Sequence, residues 1–433
     1  MKTQTVVLDS HAETTLNFFQ HILQDYQLNN FAIRLWDGTV WSPGTTEEPR
    51  FTLVLKHAEA LRNMFLNVSD LTLGEAYIFD DFDIEGDIEA AYQVAEWMID
   101  QGISLTDKAR LGHMLLKLPA RQRTSGSGSA AGLSGETHSR ERDRQAINYH
   151  YDVSNDFYSL WLDKNMVYSC AYFATPSDDI DTAQEQKLDY ICRKLRLKPG
   201  ERLLDIGCGW GGLVMFAVRE YGVIAEGVTL SESQAELANQ LIREAGLTDR
   251  CRVNVRDYRD LNDENGYDKL VSVGMFEHVG SALLRTYFKQ AFRLLKPGGV
   301  FLNHGIASCI PIGEKPKLTG PTFFSEYVFP DGELTNVSKS LTEAELAGFE
   351  VRDVESLREH YALTLRNWVS RLEDSRDAAV RETDETTYRI WRLFMSASAY
   401  GFRTDRINVY QALLAKPDKG GSGLPLRRAD WYA

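Results

Sequence analysis

An α/β, Rossmann-like fold is what this sequence predicts: a seven-stranded sheet with a helical lid insertion, preceded by a small α+β N-terminal domain. Three observations predict it. Short apolar runs alternate with helical patterns from Arg202 to Asn303, as a doubly wound parallel sheet requires. The first run ends in a glycine-rich turn, Gly207-Cys208-Gly209-Trp210-Gly211-Gly212, at the start of a helical pattern. Residues Thr124 to Ser139 (TSGSGSAAGLSGETHS) are small, polar and glycine-rich, which divides the chain in two. The boundaries expected are a domain over 1–120, a flexible linker over 121–144 and a larger domain over 145–433.

In the N-terminal part, Phe31 to Trp36 alternates in polarity, Asp37-Gly38 supplies a hairpin turn and Thr39-Val40-Trp41 begins the return. Phe51 to Leu55 reads as another strand, and Ala58 to Asn67 and Ile88 to Ile103 as helices. The acidic run Asp80, Asp81, Asp83, Glu85, Asp87 lacks the spacing of a calcium loop and reads as an exposed acidic loop.

In the C-terminal part, strands are expected at 202–206, 223–229, 252–255, 269–273 and 300–303. Helices are expected at 211–220, 231–245 (Ser231 as N-cap) and 281–295. Glu350 to Val354 and Ile407 to Leu414 read as a final antiparallel pair. Between them, residues 361–399 form an aromatic-rich helical insertion placed to cover a substrate site.

A net charge of −14 over 433 residues argues against nucleic acid as a partner, since a phosphate backbone rewards Lys and Arg. Five scattered cysteines give neither a disulfide framework nor a zinc spacing, and no metal is expected; a reducing, cytoplasmic interior fits. The N-terminus lacks a signal-peptide pattern, and no apolar run is long enough to span a membrane. Lys108, Arg110, Lys117, Arg121, Arg123, Arg140, Arg142 and Arg144 gather around the linker. They are either a patch that an anionic membrane surface attracts or ordinary solvated charges.

The glycine turn lets backbone approach a ligand where side chains would collide. Nicotinamide-binding folds place an acid about 20 residues later to hold the ribose. Here the second strand ends Gly227-Val228-Thr229-Leu230-Ser231 with no acid, leaving Thr229 and Gln234 as polar groups. Asp257-Tyr258 after the third strand offers a ring to stack on adenine and a carboxylate to accept its amine. These features favour S-adenosylmethionine, with Asp205, Gly207, Gly209, Gly211, Thr229, Leu230, Gln234, Asp257 and Tyr258 as its contacts.

From about Tyr149 onward the chain resembles the cyclopropane-fatty-acyl-phospholipid synthase family and its mycolic acid relatives. The motifs that carry the resemblance are Tyr168-Ser169-Cys170-Ala171-Tyr172, Leu204 to Gly212, Val228-Thr229-Leu230-Ser231, Asp257-Tyr258-Arg259-Asp260-Leu261 and Val273 to Gly280. The N-terminal part resembles, more loosely, a small lipid-carrier-like domain. The resemblance implies a class I methyltransferase sheet, with Tyr168 and Ser169 added to the cofactor site. It implies transfer of a methylene from S-adenosylmethionine to the cis double bond of a phospholipid acyl chain, with a bound bicarbonate as general base. Cys170 (through its backbone amide), Glu277, His304, Ile306 and Tyr361 would hold that ion. Peripheral association with the inner face of the cell membrane and a homodimer are also implied. Taken singly, Cys170 is as readily a buried small hydrophobe, Glu277 a helix-starting acid, and His304 a core histidine; His278 reads as structural. Family members often carry a cysteine shortly before Phe402-Arg403, whereas this chain has Ser396-Ala397-Ser398-Ala399-Tyr400. Methylation without ring closure is the nearest rival activity.

Overall fold

The computed structural model describes residues 9–27, 30–44, 48–100, 102, 104–120, 132–151, 153–311, 314 and 322–432. They form two compact units. One takes the described parts of 1–130, 317–328 and 385–400, the other those of 131–316, 329–384 and 401–433. Two segments that the sequence assigns to the catalytic domain thus belong to the first unit.

The first unit holds a four-stranded sheet of order β2-β1-β3-β4, with β1 Phe31–Arg34, β2 Val40–Trp41, β3 Phe51–Leu55 and β4 Phe82–Gly86. The predicted hairpin and third strand are present, β1 pairing antiparallel with β2 and parallel with β3. The acidic run is not an exposed loop. It contains β4, antiparallel to β3, and its carboxylates are neutralised. Asp87 bonds Arg50 at 2.5 Å, while Asp80 and Asp83 accept from the buried Arg389 at 2.8 and 3.0 Å. A strand can carry this many acids because their partners arrive from elsewhere in the chain.

The second unit is a three-layer sandwich. Its strands are β5 Arg202–Ile206, β6 Ile224–Thr229, β7 Cys251–Val255, β8 Tyr267–Val273, β9 Leu295–Ser308, β10 Glu350–Ser356 and β11 Ile407–Ala415. They lie in the order β10-β11-β9-β8-β5-β6-β7. The five from β9 to β7 run parallel, and β11 and β10 close the edge antiparallel. Period-two alternation fills both faces. Leu203, Val271, Leu302 and Leu413 pack under helices Ile180–Leu195, Gly212–Tyr221 and Glu232–Glu244. Their neighbours Leu204, Leu270, Phe301 and Leu414 pack under Leu284–Leu294 and Val337–Leu346. Ser231 caps its helix as expected, its Oγ accepting from the Gln234 amide at 3.2 Å.

The linker prediction needs correction at its far end. Residues 121–131 lie outside the described residues, but Arg140–Tyr151 is a helix of the second unit. Arg140 pairs with Asp260 at 2.8 Å and Arg144 with Glu141 at 2.8 Å, and Arg142 grips both oxygens of Asp331 at 2.5 and 2.8 Å. Each of these three cations thus pairs with an acid of its own unit, while Arg140 and Arg144 stay more than half exposed. The predicted insertion is three helices, Arg358–Asp374, Arg376–Glu382 and Glu385–Arg403. Most of the last helix belongs to the first unit, where Ser396 sits buried with its Oγ on the Arg392 carbonyl at 2.7 Å. No helix among the described residues is long and apolar enough to cross a membrane.

Candidate active site

Strand β5 leads into the turn with Gly207 at φ +84°, Gly209 at +53° and Gly211 at +80°, a region that L side chains avoid. The turn is pinned to β6, since the amides of Gly207 and Cys208 both donate to the Val228 carbonyl, at 2.9 and 3.0 Å. A Cβ on Gly207 would lie 2.5 Å from that of Met275, so only glycine lets the β8 loop close over the turn.

One cavity opens at the carboxyl ends of these strands, where doubly wound sheets bind ligands. Tyr168, Ser169, Asp205, Gly207, Gly209, Thr229, Leu230, Gln234, Asp257 and Tyr258 all line it. Gly211 does not. It is the N-cap of helix Gly212–Tyr221, where an added Cβ would sit 3.3 Å from Ala238; its task is the turn and the close helix packing, and Gly212 takes the lining position.

The cavity is more ionic than the sequence suggested. Asp205 is buried, with Oδ1 lacking a hydrogen-bond partner among the described residues, and burial raises its carboxyl to about 7. Lys187, which the sequence reading missed, also lines the cavity and donates to Ser169 Oγ at 2.9 Å. Burial pushes its amine down to about 8. The Asp257 carboxylate is turned onto Arg259, which also reaches Asp143 at 3.0 Å on the missed helix Arg140–Tyr151. An adenine amine would share those oxygens with a guanidinium. His278, read as structural, lines the cavity too, and burial holds it neutral, near 4. Thr229 Oγ1 donates to Gln234 Oε1 at 2.8 Å.

None of the five predicted base-holding residues lines this cavity. Glu277 reaches β9, the strand that carries His304 and Ile306, while Cys170 and Tyr361 meet at the Leu357 carbonyl. Glu277 follows β8 in a short 3₁₀ turn, which sends its carboxylate away from the His278 ring and toward β9. There Oε1 accepts from the Ile306 amide at 2.6 Å, while Oε2 is buried without a hydrogen-bond partner among the described residues. Burial raises this carboxyl to about 7. His304 lies two residues before Ile306, 1% exposed, and burial holds its ring near 3. Its Nε2 likewise lacks a partner among the described residues. Cys170 Sγ stands 3.7 Å from the Leu357 carbonyl, the same oxygen that accepts the Tyr361 amide at 3.0 Å. Leu357 in turn donates to Val409, which pairs with Ile306 across β11 and β9. Burial drives the Cys170 thiol far above its ordinary range, which favours the protonated form.

Aromatic rings connect the two clusters. Tyr168 lies 5.3 Å from Trp368, Trp368 6.1 Å from Tyr361, and Tyr361 4.6 Å from Phe402. Lys187 is a second junction: it lines the cavity, and its charge acts on both Cys170 and His304.

The glycine turn, the acid Asp205 near the end of β5 and the antiparallel edge define an S-adenosylmethionine-dependent methyltransferase of class I. Within that class, the chain belongs to the mycolic acid cyclopropane synthetase family, which matches residues 138–412. Residues 18–101 match a second family, described only as a domain of unknown function. A probable fatty acid methyltransferase of Pseudomonas putida is 40% identical over 401 residues, covering 92% of this chain and 95% of that one. The cyclopropane-fatty-acyl-phospholipid synthase of Escherichia coli K12 is 38% identical over 272 residues, 63% of this chain and 68% of its own. The solved mycolic acid cyclopropane synthase CmaA1, complexed with SAH and CTAB, has a TM-score of 0.59 at 34% identity, covering 63% of this chain and 97% of that one.

Proposed function

We propose that this enzyme transfers a methylene from S-adenosylmethionine to the cis double bond of a phospholipid acyl chain, forming a cyclopropane. The observation that carries the reading is that two buried polar atoms set around β9 beside the cofactor cavity, Glu277 Oε2 and His304 Nε2, lack hydrogen-bond partners among the described residues. A hydrogen carbonate ion suits them, because its hydroxyl donates to a carboxylate while its oxyanion accepts from a neutral imidazole. Glu277, His304, the Ile306 and Cys170 backbone and Tyr361 would hold it, and it would supply a small general base.

The cofactor supplies an electrophilic methyl on sulfonium. Transfer to one alkene carbon would break the methyl–sulfur bond, with sulfur keeping the electron pair. Loss of a proton from the delivered methyl then leaves the pair that closes the ring. An alkene is a weak nucleophile, so the protein's task is alignment. The rings of Tyr168, Trp368 and Tyr361 supply apolar faces that tolerate cationic charge and exclude water. Neutral His304 and the Glu277 carboxylate would hold the proton acceptor in place. The membrane is the source of substrate in this reading.

A second reading is methylation without ring closure, favoured by the probable fatty acid methyltransferase that matches nearly the whole chain. Incubation with isotopically labelled cofactor and vesicles of a cis-monounsaturated phospholipid, followed by proton NMR of the extracted lipid, separates them. High-field ring protons are expected. Label in the lipid without ring protons selects the second reading, and no label in lipid rejects both.

A further inference from the structure

We propose that Glu355, Gln411 and Lys194 form a positioning relay that fixes His304 in the tautomer carrying its proton on Nε2. The functional half of the proposal, that this N–H faces the base, rests on the reading above; the tautomer itself does not.

Glu355, Gln411 and His304 stand in one row across three strands, because β10–β11 register pairs Glu355 with Gln411 and β11–β9 register pairs Gln411 with His304. Lys194, at the end of helix Ile180–Leu195 and fully buried, reaches into the row. Its Nζ contacts Glu355 Oε2 and donates to Gln411 Oε1 at 2.9 Å. Tyr190 donates to the same Glu355 oxygen at 2.8 Å, and its ring lies 4.5 Å from Nζ. The row is thus braced from the helix layer.

Donor chemistry then determines the proton's place. A lysine offers only donors, so the Gln411 amide must turn its oxygen toward Lys194. That leaves the amide NH₂ facing His304 Nδ1, at 3.2 Å. A nitrogen that accepts cannot carry the proton of a neutral ring, so the proton resides on Nε2. Nε2 is the buried atom without a hydrogen-bond partner among the described residues. Without the relay the ring could adopt the other tautomer and present a lone pair to an oxyanion. Gln411 and Lys194 touch no reacting atom and are positioning residues.

The test uses the full-length protein labelled with ¹⁵N-histidine and two-bond ¹H–¹⁵N correlation, with His304→Asn to assign the signal. Wild type is expected to show unprotonated Nδ1 and protonated Nε2 for His304. Gln411→Glu keeps the shape but cannot donate, so Nδ1 should acquire a proton. Gln411→Met and Lys194→Met should lower kcat by roughly 10- to 100-fold, as loss of a histidine-orienting partner does, with KM for S-adenosylmethionine unchanged. A protonated Nδ1 in wild type, or an unprotonated Nδ1 in Gln411→Glu, overturns the relay. So does a Gln411→Met protein with wild-type kcat. Turnover that ignores added and depleted bicarbonate would instead reject the base reading and leave the tautomer intact.

Discussion

The cofactor cavity and the β9 cluster beside it are built from different materials. The cavity joins a backbone turn, with glycines at positive φ and amides pinned to Val228, to buried ionic side chains such as Asp205 and Lys187. The β9 cluster is drawn from separate segments, around 170, 277, 304 and 361, and two of its buried polar atoms, Glu277 Oε2 and His304 Nε2, lack hydrogen-bond partners among the described residues. Binding a nucleoside needs close approach, which backbone supplies. Steering a proton needs tuned polar groups in a dry place, which only buried side chains supply.

The sharpest way to break that contrast is to remove the tuned carboxylate alone. Glu277→Gln keeps the shape and can still bond the region of Ile306, but it replaces an anionic acceptor by a neutral amide. General-base assistance contributes about 10²- to 10⁴-fold, so kcat should fall by that order while cofactor affinity stays near wild type. Isothermal titration with S-adenosylhomocysteine and lipid turnover read the two separately. Equal losses in both would mean that the cluster and the cavity are one site, not two.

Next comes the reverse experiment on backbone. Gly207→Ala places a Cβ 2.5 Å from that of Met275 at φ +84°. A left-handed conformation costs an L residue about 1–2 kcal/mol before the clash is counted. Cofactor Kd should rise about 10- to 100-fold, with kcat at saturation changed far less. Unaltered binding would show that the turn does not need its glycine.

A pH series sharpens the comparison further. Glu277 must be ionised to accept a proton-bearing partner, and burial raises it to about 7. Activity should therefore climb with pH through about 7. Stability should move the other way over part of that range. A carboxyl whose folded value is raised binds more protons folded than unfolded, so its contribution falls as pH rises from its ordinary value toward about 7. Asp205 adds to this with the same sign. His304 opposes it on the acid side: held near 3 when folded, it costs stability as pH drops below its unfolded value of about 6.5. Thermal melts across this range should show a shallower neutral-side decline in Glu277→Gln than in wild type. Identical curves would remove Glu277 from the account.

The same contrast explains what could be read from sequence. Strands and turns of the sheet were legible because their apolar period and glycines are local signals; eight cavity residues followed from them, and Tyr168 and Ser169 from the family resemblance. Gly211 was misplaced because a glycine at a turn and a glycine against a ligand look alike; only the 3.3 Å approach to Ala238 separates them. Lys187 was invisible because a lysine on an amphipathic helix reads as solvent-facing until packing buries it. The acidic strand β4 was lost for a related reason, since its neutralising Arg389 arrives from some 300 residues away. Gln411 offered no signal at all: its role exists only once three strands are in register.

The smallest expected effect is at Cys170, and it tests which part of that residue matters. The thiol is fully buried, and burial keeps it protonated far above any working pH. Its polar contacts are long, 3.3 Å to the Ala171 carbonyl and 3.7 Å to that of Leu357. If the backbone amide is the contribution to the base site, Cys170→Ala removes one sulfur's packing and nothing chemical. Stability should drop by about 1–2 kcal/mol, as for other small core truncations, and kcat should stay within about threefold once the protein is folded. A loss comparable with that of Glu277→Gln would mean that the sulfur itself takes part in catalysis.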